Sequence, residues 1–369
     1  MNTGLEVKCY NIRRKNMSKK WLLDNSDIPI KYILTGDKEY IEKFLENYEV
    51  QYWLSQLKPR WENNDLGKIH GSHDYRMENI LGKCCILGLS KTIPVFECYL
   101  TFIIDFLNKH INEPAEEKLS FGKIYSYRDY ETVLSCFLPM LGFSDEPSVK
   151  YIAEKRISIL YNFVKQKRYD IYIDASGYKG IKKEWRDYII NPELYSDGNI
   201  ALPAMHDFIL FAGMYDKFDK TKKEKIESIV AWIFNVKYTE LDGRYGYFYV
   251  PGGAYNAKAI IFKVQLIDFN KMTFDKGDLV SLVFICFILS HFKSARKSEW
   301  FKKAIIYLEN YRTTEDRYNF QKHMIIEKPD CYVIGGGHMN IGENKKSKKY
   351  GEIISTYWMN RINENLYSN

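Results

Sequence analysis

The sequence predicts an all-α protein of roughly five to six helical hairpins, and three observations predict it. A phrase recurs: residues 87–90 read Leu-Gly-Leu-Ser, and residues 141–144 read Leu-Gly-Phe-Ser, 54 positions later. Each phrase follows an apolar run, and each is followed within a few residues by a proline, Pro94 or Pro147, that opens an amphipathic run. A looser third copy follows Leu202 to Ala212, with Gly213 in the glycine place and a helix expected from about Thr221. Self-similarity at such a period marks stacked helical hairpins. The runs also alternate between apolar on nearly all sides and amphipathic, as inner and outer helices do. Strand signals, finally, are few and short.

The elements follow in order. Tyr40 to Leu57 carries Ile41, Phe44, Leu45 and Tyr48 on one helical stripe. Met77 to Leu89 is apolar on nearly all sides and reads as an inner helix, and Pro94 opens Val95 to Ile111, the natural place for proline in a helix. Tyr130 to Leu141 is the next inner member. Pro147 starts an outer helix with Val149, Ile152, Ile157, Leu160 and Val164 recurring at helical spacing. Residues 170–200 form a polar interruption with a short helix near Lys183 to Ile190. Pro203 to Ala212 then pairs with an outer helix bearing Ile226, Ile229, Val230, Ile233 and Phe234. Asp242 to Gly253, with four glycines and four aromatics, is a turn-rich loop. Ala254 to Phe269 and Asp278 to Phe292 are read as one more inner and outer helix, followed by Glu299 to Tyr311, a polar stretch from Thr313 to Tyr350 and a closing helix from Glu352 to Leu366. Residues 1–19 read as a flexible basic tail and residues 20–366 as a single domain.

Composition narrows the function classes. The chain has 369 residues, a net charge of +7 and seven cysteines. Its basic runs (Arg13-Arg14-Lys15, Lys19-Lys20, Lys345-Lys346, Lys348-Lys349) lie near the termini, without the clustered face that nucleic-acid binding needs, so no nucleic-acid partner is expected. The most apolar segment, Leu279 to Leu289, is about half a bilayer span, so no membrane span is expected. Met1 to Lys20 is polar and the cysteines mostly sit in apolar helical runs, which reads as a reduced, cytoplasmic protein. The high tyrosine and phenylalanine content (30 and 21) suits an aromatic-lined cavity, or an AT-rich genome.

The run Leu141-Gly142-Phe143-Ser144-Asp145-Glu146-Pro147-Ser148-Val149, with Gln166 after it, is similar to the repeat of the terpenoid cyclase and protein prenyltransferase superfamily. The glycine-aromatic loop from Asp242 to Gly253 is similar to the loops after outer helices there. More narrowly, the chain resembles short bacterial proteins labelled prenyltransferase or squalene-cyclase-repeat proteins, in His70-Gly71-Ser72-His73-Asp74, in Tyr245-Gly246 with Lys258 and Lys263, and in Ser355-Thr356. The resemblance covers roughly residues 20–366 and implies an α/α toroid around a central cavity. Its usual chemistry does not carry over. No Asp-x-Asp-Asp run is present, Asp170 and Asp174 having the wrong spacing, and Asp330-Cys331 with His338 departs from the zinc pattern.

Several constellations are candidates. His70, His73 and Asp74 offer two imidazoles and a carboxylate, for a metal or for acid–base work; capping of the following helix is the alternative. His206 and Asp207, on an inner helix, form a possible proton-transfer dyad or a satisfied structural pair. Asp242, Arg244, Tyr245, Tyr247 and Tyr249 make an aromatic, charged loop at the cavity rim, or wedges between helices. Lys258 and Lys263 sit in an inner helix and need a partner, either an anionic ligand group or a carboxylate such as Asp242 or Asp207. Asp330 to His338, with Cys331 and three glycines, reads as a flexible surface loop, with a metal or phosphate loop as the alternative. The expected function is binding of an apolar or isoprenoid-like ligand, with the loops bearing His70, His206 and Tyr245 converging at one end of the barrel. If there is catalysis, His73 or His206 acts as acid or base, oriented by Asp74 or Asp207. The alternatives are a carbohydrate-active toroid, whose cavity would carry carboxylates across a groove, and a non-catalytic scaffold with a filled cavity. No cofactor or metal set is specified, and the oligomeric state is silent.

Overall fold

Prolines and short polar caps start the helices where the sequence places them. In the computed structural model, which describes residues 17–113, 130–195, 199–241, 246–249, 257–260, 266–269 and 273–367, α1 covers 17–25, and α2 (Ile28–Thr35), α3 (Ile41–Leu45) and α4 (Tyr48–Glu62) follow it. Next come α5 (Met77–Ile86), α6 (Pro94–His110), α7 (Tyr130–Ser135), α8 (Pro147–Val164), α9 (Met205–Met214), α10 (Lys220–Ile233) and α11 (Val236–Thr239). The C-terminal part adds α12 (Lys276–Leu279), α13 (Leu282–Leu289), α14 (Lys293–Lys297), α15 (Glu299–Glu309) and α16 (Tyr350–Tyr367). Pro94 and Pro147 are the first residues of α6 and α8. Asn47, Asp219 and Ser298 accept first-turn N–H groups of α4, α10 and α15, satisfying donors the helices cannot satisfy themselves.

The described chain is all-α apart from one small sheet, and its helices form two layers. α5, α7, α9, α13 and α16 contact one another in sequence order, and α13 is buried at every residue. Outside them α4, α6, α8, α10, α14 and α15 also neighbour one another in order. A helix surrounded by helices needs apolar residues all round, whereas an outer helix needs one stripe, which is the alternation written in the sequence.

The recurring Leu-Gly phrase ends inner elements. Gly88 (φ 82°) and Gly142 (φ 95°) adopt left-handed backbone after α5 and within the turn Pro139–Phe143. Gly213 is different: it is helical, inside α9, and a Cβ there would lie 2.7 Å from Cβ of Pro139. The third copy of the phrase is therefore a close helix contact and not a turn.

Other departures are local. Residues 17–19, read as tail, begin α1, and the Ser18 hydroxyl donates to Asn360 at 3.0 Å. The stretch read as an inner helix from Ala254 contains instead a strand, Ala257–Ile260, paired antiparallel with Gly246–Tyr249 in the register Phe248 opposite Lys258. Lys258 therefore lies on a strand. An aromatic partner strand and the β-branched end of the segment favour pairing over a helix here. Asp242, Arg244, Tyr245 and Lys263 lie outside the described residues. Among the described cysteines all are free thiols, with Cys84, Cys136 and Cys286 buried and Cys98 exposed. Among the described residues no helix is long and apolar enough to cross a membrane.

A Cβ on Gly88 would come within 2.4 Å of Ile33 Cγ1 and demand a left-handed alanine. Gly88→Ala is expected to cost about 2 kcal/mol in urea unfolding. Gly177→Ala, where a Cβ meets nothing within 4 Å, is expected to stay within about 0.5 kcal/mol.

Candidate functional site

The first turn of α5 begins without a side-chain cap, and the preceding loop supplies its partners. The N–H of Glu78 donates to Ile69 O at 3.1 Å. The Asn79 amide donates to Gly71 O (2.9 Å) and His73 O (3.0 Å) and accepts from the N–H of Val333 at 2.9 Å. These bonds staple residues 69–73 to the helix end and bring His70 over Glu78. His70 Nδ1 lies 2.5 Å from Glu78 Oε2, and His206 Nε2, from the second position of α9, lies 2.9 Å from Glu78 Oε1. Glu78 is completely buried, and the three ligand-bearing atoms lie within 4.8 Å of one another. Burial pushes the Glu78 carboxyl up, but the two imidazoles outweigh it and hold the group down at about 2. The helix N-terminus adds a favourable partial charge.

His70 and His206 thus converge, as the repeat positions imply, but on a residue that the sequence reading passed over. Their expected partners do not join them. Asp207 accepts from Arg156 through both oxygens, at 2.7 and 3.1 Å, and caps the N–H of Ala204 at 2.8 Å. Consecutive helical residues point about 100° apart, so His206 faces Glu78 while Asp207 turns to Arg156, which also occupies the place foreseen for a lysine. His73 is largely exposed, stacks on Tyr75 and lies 2.9 Å from Asp330 Oδ1, while Asp74 turns inward. Neither His73–Asp74 nor His206–Asp207 is a hydrogen-bonded dyad. Tyr247 and Tyr249 pack in a satellite cluster, Tyr247 stacked on Trp185 (4.6 Å) and Tyr249 against Tyr178 (4.7 Å).

A second polar centre lies on another side of α5. Lys83 is fully buried, with Nζ 2.7 Å from each of Glu49 Oε1, Glu327 Oε2 and Asn340 O. Burial alone would lower the lysine, but Glu327 and Glu49 outweigh it and its proton is held more tightly than usual. The carboxyl of Glu327 is likewise pushed up by burial and pulled down by Lys83 and His338, to about 2. His338, buried against the edge of Trp53, lies 3.1 Å from Glu327 Oε1. Asp74 accepts from the Tyr52 hydroxyl (3.1 Å) and from the N–H of Asp330 (2.9 Å). The segment from Asp330 to His338 is therefore packed on α5 and is not a loose surface loop; Cys331 is half-buried and His338 buried.

This network walls a cleft of about 570 Å³ lined by Glu49, Tyr52, Trp53, Asp74, Glu327 and Glu343, with Lys345 and Lys346 among the remaining lining residues. Glu343 is buried and accepts from the N–H of Asp27 at 2.7 Å. Burial and the neighbouring Asp27 carboxyl raise it to about 8, so it carries its proton at neutral pH. A second cavity, of about 310 Å³, is lined by Cys85 and Ile86, Phe137 and Met140, Ala212 and Gly213, Phe284 and Phe287, and Trp358 and Arg361. Each inner helix, or the turn that ends it, contributes to that lining.

Glu78, Glu49, Glu327 and Glu343 were not singled out by sequence. A signal existed for the first: Glu78 and Lys83 are the only charged residues in the otherwise apolar run from Met77 to Leu89, and charged groups buried in an inner helix require partners. The glutamates at 327 and 343 carry no such signal, because they lie in a polar stretch.

No protein-family model, no curated protein and no solved structure matches this chain. The likeness to the terpenoid cyclase superfamily stands on the residue motifs alone.

Glu78 and Glu327 both release their protons more readily in the fold than the ordinary 4.5, so unfolding takes up protons below that value. Their contribution is fully present above pH 4.5 and is lost as pH falls towards 2. Urea midpoints measured from pH 6 to 2 are expected to drop through this window, with a shallower drop for Glu78→Gln.

Proposed function

We propose that the protein binds a polyhydroxylated, carbohydrate-like small molecule in the cleft between Glu49 and Glu343 and acts on it by acid–base chemistry. One observation carries this reading: the buried Glu343 carboxyl, which burial and Asp27 push up to about 8, shares a cleft with Glu327, which Lys83 and His338 hold down, and with aromatic faces. Environments that push carboxyl groups apart in pKa divide them into proton donor and proton acceptor. Glu343 is the donor, and Glu327, held ionised by Lys83 and His338, is the acceptor in the lining. Tyr52 and Trp53 provide flat apolar surface for a sugar ring, and the buried polar groups around them select for hydroxyls. Carboxylates around a groove are the feature that separates a carbohydrate site from an isoprenoid site.

The test is isothermal titration and product analysis with a panel of neutral and acidic oligosaccharides. Glu343→Gln is expected to retain binding within a few-fold and to lose turnover. Wild-type turnover should fall as pH rises through about 8, where Glu343 loses its proton. Absence of binding to every sugar, or undiminished turnover by Glu343→Gln, would falsify the proposal.

A second reading is favoured by the smaller cavity. Its lining by the five inner helices or the turns that end them supports a closed α/α toroid, and its walls of Phe137, Phe284, Phe287 and Trp358 suit an apolar or isoprenoid-like ligand. At about 310 Å³ it is at the small end of ligand pockets. Mass spectrometry of an organic extract of the purified protein is expected to release a lipid if this cavity is the working site; an extract free of lipid points back to the cleft.

A further inference from the structure

We propose that His70, Glu78 and His206 form a binding site for a divalent transition-metal ion of the zinc type, separate from the Glu49–Glu343 cleft. Three segments supply one ligand atom each: the loop before α5, the first turn of α5 and, from far along the chain, the first turn of α9. The atoms already lie within 4.8 Å of one another, so a small contraction or expansion seats an ion among them.

Burial points the same way. Glu78 is completely buried, and among the described residues its side-chain hydrogen-bond partners are His70 and His206. A buried carboxylate is stable only when paired. Two imidazoles hydrogen-bond the carboxylate at 2.5 and 2.9 Å, and a cation seated among the same three atoms would be coordinated by all of them. Each imidazole would then hold its single proton on the nitrogen away from the ion.

The donor set selects the class of ion. Two imidazole nitrogens and one carboxylate oxygen suit zinc and its neighbours better than calcium or magnesium, which prefer all-oxygen shells. His206 is 2% exposed, while the His70 side chain is 18% exposed. The solvent side is therefore the side of His70, where a three-ligand site keeps room for water or substrate. Tyr332, whose ring packs 5.4 Å from His70, flanks that side.

The full-length protein, stripped with chelator, is titrated with Co²⁺ and then with competing Zn²⁺, following the visible d–d absorption of bound cobalt. One equivalent is expected, with the intensity of a four-coordinate site. His70→Asn, a change in the loop, and Glu78→Gln should each weaken binding at least about tenfold. His323→Asn, remote from the triad, should leave it unchanged. Circular dichroism establishes that each variant is folded. Wild-type protein that takes up no cobalt would show a purely hydrogen-bonded triad and overturn the site, as would cobalt bands that persist unchanged in both His70→Asn and Glu78→Gln.

Discussion

The structure depends on how one inner helix carries buried charge. α5 is surrounded by other elements, yet it holds Glu78, Asn79 and Lys83, all fully buried. An isolated ion in such a place costs several kcal/mol even after relaxation. Lys83 is tolerated because Glu49 from the outer helix α4 and Glu327 from the C-terminal segment meet it at 2.7 Å, and Asn340 adds a carbonyl. Two stretches far apart in sequence are thus tied to one ammonium group on a third. Removing Lys83 would leave two carboxylates buried beside each other, a far larger penalty than the pair's net worth, so the network acts as a requirement for this docking more than as a source of stability.

The same logic explains the order of the C-terminal segment. Residues 327–343 have little regular secondary structure, but they are not free to move independently of the core. Asn79 fixes the N–H of Val333, Asp74 fixes that of Asp330, and Glu327 accepts from the N–H of Asn340 at 2.9 Å. An irregular segment can be buried only when its backbone groups find such partners. Side chains of α5 and its preceding loop provide them, so the segment takes its shape from the helix it covers.

Much of this architecture was legible in sequence, and the reasons for the rest are physical. Helix positions followed from Pro94, Pro147 and the 3.6-residue periodicity, because those signals are local. The strand at Ala257–Ile260 was misread because a short apolar run has no decisive period and its pairing partner lies elsewhere in the chain. Of the three loops expected to converge from equivalent positions in successive repeats, those of His70 and His206 meet at Glu78, and Tyr245 lies outside the described residues. The expected carboxylates, Asp74 beside His73 and Asp207 beside His206, were suggested by adjacency in sequence; Asp74, in the turn before α5, instead meets Tyr52, and helical rotation sends Asp207 to Arg156. Glu327 and Glu343 lay in a polar stretch where nothing local separates a solvated carboxyl from a buried one.

The geometry of α5 also explains why two polar centres can coexist around one helix without merging. Positions 78 and 83 are five residues apart, which rotates their side chains by about 140° and separates them along the axis by about 7.5 Å. Glu78 therefore looks toward α9 and the His70 loop, while Lys83 looks toward α4 and Asn340. Had the spacing been four, the lysine would lie on the face of Glu78 and neutralise it directly, and the histidines would have no carboxylate to share. The five-residue offset leaves Glu78 with two imidazoles and leaves Lys83 with an excess of carboxylates. One centre thus gathers two imidazoles and a carboxylate at the end of an inner helix, and the other is acidic beside an open cleft. These are the two centres a ligand can use.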